Sequence, residues 1–133
     1  MAIAGYSGTP LLKKLGIKPE MKIRLINPPG NYHDLLGADI RKQLVKTGNA
    51  DFAHVFAISR QELQKQFAEL IQQLPATAMI WISWYKKSAN MPTDITENVI
   101  REIVLPTGWV DVKVCAVSDL WSGLKIVKRL AER

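Results

Sequence analysis

Phe52-Ala53-His54-Val55-Phe56-Ala57-Ile58, running directly into Ser59-Arg60-Gln61-Glu62, decides the fold. The first seven residues are almost wholly apolar, the pattern of a strand covered on both faces as in a parallel sheet. The next four have the spacing of a capping box, in which a serine and a glutamate three positions later satisfy free amides at a helix start. Leu63, Phe67, Leu70, Ile71 and Leu74 then recur at helical intervals until Pro75 closes the run.

The same unit follows a second time. Met79–Trp84 is another buried strand, and Asp94-Ile95-Thr96-Glu97 starts another helix, with Ile95, Val99, Ile103 and Val104 on its apolar side and Pro106-Thr107-Gly108 after its end. Upstream, Thr9 as N-cap and Pro10 at the first helical position open a short helix that stops at Gly16. Lys22–Ile26 alternates as a strand and ends at Asn27-Pro28-Pro29-Gly30, where two prolines and a glycine force a turn. A short helix is expected over Tyr32–Gly37, and Ile40–Val45 fits either a short strand or a helical piece. Downstream, Val110, Val112, Val114 and Ala116 alternate with Asp111, Lys113 and Cys115, and a second strand runs from Leu124 to Arg129. This pair predicts an antiparallel hairpin. Lys125, Lys128 and Arg129 would guard it against further pairing if it lay at a sheet edge.

The whole reads as an α/β chain, a three-layer Rossmann-like sandwich with a mostly parallel sheet that finishes in an antiparallel β-hairpin. Its 133 residues, 47% of them hydrophobic, fit one domain spanning 1–133 with one continuous core. A single cysteine, Cys115, excludes an internal disulfide and makes a reducing cytoplasm the expected setting. The N-terminal residues lack the basic start and apolar stretch of a secretory signal, and the longest apolar runs fall far short of a bilayer span, so no membrane partner is expected.

Several separate motifs also resemble a known family. Gly5-Tyr6-Ser7-Gly8-Thr9-Pro10-Leu11 with Lys13-Lys14-Leu15-Gly16-Ile17, then Trp84-Tyr85-Lys86-Lys87, Pro92-Thr93-Asp94, Leu105-Pro106-Thr107-Gly108, Val110–Val117 and Trp121-Ser122-Gly123-Leu124 are similar to a bacterial family of small proteins classed only as a domain of unknown function. The resemblance covers nearly the whole chain and implies a bacterial cytoplasmic setting without an activity. The fold also resembles that of class I methyltransferases, whose sheets finish with an antiparallel strand pair. That resemblance implies a glycine-rich turn after the first strand, where backbone amides meet the cofactor. Asn27-Pro28-Pro29-Gly30 departs from it, because prolines offer no N–H. No cofactor is therefore expected.

Ligands in open α/β sheets sit beyond the carboxyl ends of the parallel strands. That rule selects Asn27, Ser59, Arg60, Trp84, Tyr85, Lys86, Lys87 and Asp94, which combine cationic side chains, helix N-termini and aromatic rings suited to an anionic small molecule with a flat ring. The ordinary structural alternative is that Ser59 and Asp94 only cap helices and the lysines are solvated. Gly5–Pro10 is either a flap over this edge or a packed tail. His54, between Phe52 and Phe56, is expected to be a satisfied core histidine without metal-ligand spacing, His33 an exposed neighbour of the Pro-Pro turn, Cys115 a packing residue and Trp121 an anchor of the hairpin connection.

No acid, base and nucleophile converge, so no catalytic residue and no metal site is expected, and the chain is expected to be a binder more than an enzyme. The first functional expectation is a non-catalytic domain that binds an anionic metabolite or regulates through it. The alternative is a nucleic-acid or protein interaction domain using the basic surface that a net charge of +6 provides. A methyltransferase-like enzyme ranks last, and a homodimer through the terminal hairpin stays open.

Overall fold

The computed structural model describes residues 10–133. The Thr9 cap and the Gly5–Pro10 flap or tail lie wholly or largely outside the described residues. Five strands form one sheet: β1 (Ile23–Ile26), β2 (Phe52–Phe56), β3 (Met79–Tyr85), β4 (Trp109–Ala116) and β5 (Trp121–Lys128). Their spatial order is β1-β2-β3-β5-β4, with β1, β2 and β3 parallel and β5 antiparallel to both of its neighbours. The three-layer sandwich expected from the sequence is thus formed.

Residues of β2 are buried along its full length, and alternate side chains feed two different cores. Ala53, Val55 and Ala57, with Ile80 and Ile82 of β3, meet Leu63, Phe67 and Leu70 of α3 (Arg60–Gln73) and Ile100, Ile103 and Val104 of α4 (Glu97–Val104). Phe52 and Phe56, with Trp81 and Trp121, meet Leu11 and Leu15 of α1 (Leu11–Leu15) and Tyr32 and Leu36 of α2 (Tyr32–Leu36). The short α1 has Pro10 as its N-cap residue and turns off at Gly16, whose φ of 83° is the left-handed conformation that favours glycine. The indole N–H of Trp81 donates to the Leu15 carbonyl at 2.9 Å and ties α1 to the sheet.

The helix starts follow from their caps. Ser59 Oγ accepts from the Glu62 amide at 3.3 Å and Thr96 Oγ1 from the Val99 amide at 3.2 Å, each satisfying an amide that the helix leaves free. Because α4 begins at Glu97, its inward stripe is Ile100, Ile103 and Val104, with Val99 half-buried. Ile95 is buried ahead of the helix, so the expected stripe is shifted by the true start.

Two points that the sequence leaves open are decided here. Ile40–Val45 is one turn of 3-10 helix over Arg41–Gln43, after which Leu44 makes a single parallel bridge to Ile23. That bridge lies on the side of β1 away from β2, so the chain leaves β1 to one side and returns to form β2 on the other. The terminal strand is not an edge either: β5 inserts between β3 and β4, and β4 carries the free edge. In β4 the register shifts between Asp111 and Lys113, an extra residue that breaks the period-two alternation and leaves Val112 and Val114 about half exposed.

No helix among the described residues is long and apolar enough to cross a membrane.

Candidate cofactor cleft

After β1 and β2 the chain turns to opposite faces of the sheet, into α2 on one side and α3 on the other. Such a divergence between adjacent parallel strands opens a crevice at their carboxyl ends. Here it is a cleft of about 450 Å³. Asn27, Pro29 and Asn31 line it from the first turn, Phe56, Ile58 and Glu62 from the end of β2 and the start of α3, and Tyr85 from the end of β3. The hairpin connection closes it with Ser118 and Leu120, and the first residue of β5 with Trp121.

The local backbone positions each part. Asn27 holds a left-handed conformation, φ 55°, which an asparagine tolerates better than most residues, and its Nδ2 donates to Glu62 Oε1 at 3.0 Å. Gln66 Nε2 donates to the same oxygen at 3.3 Å. The hairpin connection is wound on Ser118, whose Oγ accepts from the amides of Leu120 and Trp121, each at 3.1 Å. The Leu120 carbonyl in turn accepts from the Lys86 amide at 2.8 Å, which fastens this connection to the end of β3. Close contact also fixes Gly123: a Cβ there would lie 2.9 Å from Val117 Cγ2 and 3.2 Å from Trp81 Cε3.

Aromatic rings make the wall of the cleft. Tyr85 and Trp121 stack with centroids 4.0 Å apart and 22° between planes, and Phe56 meets Trp121 edge-on at 5.0 Å. Behind Phe56 its ring stacks on His54 at 4.3 Å. His54 is fully buried and bonded on both sides, to the Tyr32 hydroxyl through Nδ1 at 2.8 Å and to Ser83 Oγ through Nε2 at 2.7 Å. Burial pushes its pKa down to about 3 and raises that of Tyr32. The neutral ring is thus a satisfied core histidine that pins α2 to two strands.

The residues selected from sequence are distributed unevenly. Asn27 and Tyr85 line the cleft. Ser59 caps α3, and Asp94 Oδ1 accepts from the Arg60 amide at 2.7 Å, so both are spent on that helix start. The Arg60 guanidinium pairs with Glu102 at 2.8 Å. Trp84 packs against the aliphatic core on the other face, and Lys86 and Lys87 lie outside the lining. Cys115 is half-buried, and burial raises its thiol pKa. Sequence reasoning missed Glu62 as a lining residue because its capping-box position gave it a complete local role. Trp121, which it made an anchor of the connection, also faces the cleft. Among the described residues no group of His, Cys, Asp and Glu side chains could hold a metal ion.

Solved structures with this architecture are numerous. The ribosomal protein L11 methylase of Lactobacillus delbrueckii subsp. bulgaricus superposes over 90% of this chain and 75% of its own, with a TM-score of 0.58 and 14% identity. A putative type 11 methyltransferase from Sulfolobus solfataricus does so over 84% and 87%, with a TM-score of 0.56 and 15% identity. LepI, solved in complex with SAM, matches over 91% of this chain and 47% of its own, with a TM-score of 0.57 and 12% identity. The chain has a methyltransferase-type fold. It spans about half the length of some of these proteins, 53% of LaPhzM among them. No protein-family model and no curated protein matches the sequence, so the motif resemblance to a bacterial family rests on its residues alone.

These neighbours correct the functional expectation. A non-catalytic anion-binding or regulatory domain, with a basic interaction surface as its alternative, gave methyl transfer the last rank and leaned away from an enzyme. The structures that share the fold are repeatedly methyltransferases. Among the described residues, Glu62 and Tyr85 are the ionisable side chains that line the cleft, and no lysine or arginine does.

Proposed function

We propose that this chain is a methyltransferase-type domain that binds S-adenosylmethionine in the cleft at the carboxyl ends of β1, β2 and β3. The observation that carries the reading is the cleft itself: in a methyltransferase-type fold, it opens where the helices after β1 and β2 diverge, and it presents one carboxylate and a stacked aromatic pair.

The residues fit the cofactor in volume, ring surface and charge. A cleft of about 450 Å³ is within the range of small-molecule sites. The half-buried Tyr85, backed by the buried Phe56 and Trp121, offers ring surface for a purine, and Glu62 brings a carboxylate to a cationic cofactor. The fit does not run through a glycine-rich turn. Pro28 and Pro29 have no N–H, and a Cβ on Gly30 would meet no protein atom within 4 Å. Polar recognition on this side therefore falls to side chains, Asn27 and Asn31. When bound, the cofactor supplies a methyl group activated by its sulfonium charge. The chain's own contribution is to orient it and to exclude water around it with Ile58, Leu120 and the ring wall.

Titration calorimetry of the full chain with S-adenosylmethionine tests the reading. One saturable site is expected, and it should vanish in Ile58→Arg, a substitution at a half-exposed residue that fills the cleft without entering a core. Absence of binding to the unsubstituted protein, or equal binding by the variant, would refute the assignment of this cleft.

A further inference from the structure

We infer that the cleft selects the cationic sulfonium form of its ligand over the neutral thioether, and that Glu62 is the residue that determines this selectivity. The inference rests on the adenosylmethionine reading and adds to it a preference between the cofactor and its demethylated product.

Three observations support it. Among the described residues, Glu62 is the acidic one lining the cleft, and no lysine or arginine side chain lines it. Asn27 and Gln66 both donate to Oε1 of this carboxylate, which holds the group in place and leaves Oε2 without a hydrogen bond among the described residues. The half-buried Tyr85, backed by the buried Trp121, lines the cleft with an aromatic ring, whose face can attract a cation as well as a flat ring. Nearby cations are directed elsewhere: Arg60, on the same turn of α3, pairs with Glu102, and Lys86 is outside the lining. Loss of the methyl group converts a sulfonium into an uncharged thioether, so both attractions weaken at the same step. The site would then hold the charged cofactor and release the spent one.

Glu62 is solvent-exposed, so the effect is modest and screened by salt. An exposed ion pair and an exposed cation–π contact together correspond to about fivefold tighter binding of S-adenosylmethionine than of S-adenosylhomocysteine. The test measures both dissociation constants for the unsubstituted chain and Glu62→Gln at low and high salt. Gln keeps an oxygen that can accept from Asn27. The expected result is a preference for the sulfonium that shrinks with salt and falls close to parity in Glu62→Gln. Equal affinities in the unsubstituted chain, a preference for the thioether, or an unchanged ratio in the variant would overturn the inference.

A matched pair of flat probes, 1-methylquinolinium and quinoline at neutral pH, separates the two readings. If neither nucleoside binds, the cofactor reading fails, and the probes decide the selectivity alone. Tighter binding of the cation that Glu62→Gln abolishes supports it, and equal binding of the two overturns it.

Discussion

The two faces of the sheet are built from alternate residues of the same strands, yet they differ in chemistry. Toward α3 and α4 the strands present Ala53, Val55, Ala57, Ile80 and Ile82, an aliphatic layer flanked by Trp84 and Trp109 and closed by Leu63, Phe67 and Leu70. Toward α1 and α2 they present Phe52, His54, Phe56, Trp81, Ser83 and Tyr85, and this layer runs outward through Phe56, Tyr85 and Trp121 into the cleft. A purely apolar layer needs only shape to be stable. A layer with a bonded histidine and stacked rings fixes directions as well as volume, and it ends where a ligand with a flat ring can sit.

Substitution of one phenylalanine on each face separates stability from binding. Phe67 is buried against Trp109, with ring centroids 6.4 Å apart, and Phe67→Ala should cost about 3–5 kcal/mol in urea unfolding while the folded protein keeps its affinity for S-adenosylmethionine. Phe56→Ala should cost a similar amount and also weaken the ligand, since Phe56 packs on His54 and Trp121 and lines the cleft. Equal loss of affinity in both variants would erase the distinction between the faces.

A smaller effect comes from His54. Its folded pKa is lowered to about 3 from an ordinary 6.5, so the unfolded chain takes up a proton that the folded one refuses across that interval. The stability that the neutral ring contributes is fully present above about pH 6.5 and is lost as pH falls toward 3. By pH 5 the linkage amounts to about 2 kcal/mol. Unfolding measured at pH 7 and pH 5 should show this loss in the unsubstituted chain and not in His54→Asn, whose own stability is lower at both. Parallel pH profiles would remove His54 as the proton-linked group of the aromatic face.

How legible each part was in the sequence follows from how local its causes are. The buried run of β2, the Ser59 cap and the helix to Pro75 depend on neighbours within a few positions, and they form where the pattern puts them. Asn27 was legible because a rule about strand ends needs only the position of the strand. Trp121 as a cleft residue was not, because it reaches Tyr85 only after β5 inserts beside β3, a pairing that no local period reveals. The shift at Asp111–Lys113 is equally silent, since an extra residue looks like ordinary alternation until the partner strand is known. Glu62 was hidden by having a good local explanation. Its carboxylate is committed instead to Asn27 across the cleft and to Gln66 one turn on.

The most direct test is the amide spectrum of the isotopically labelled chain during titration with S-adenosylmethionine. The account predicts shifts confined to Asn27, Asn31, Ile58, Glu62, Tyr85 and the connection from Ser118 to Trp121, with the C-terminal turn of α3 and the outer strand β4 silent. Shifts centred away from those residues, or none at saturating ligand, would contradict it.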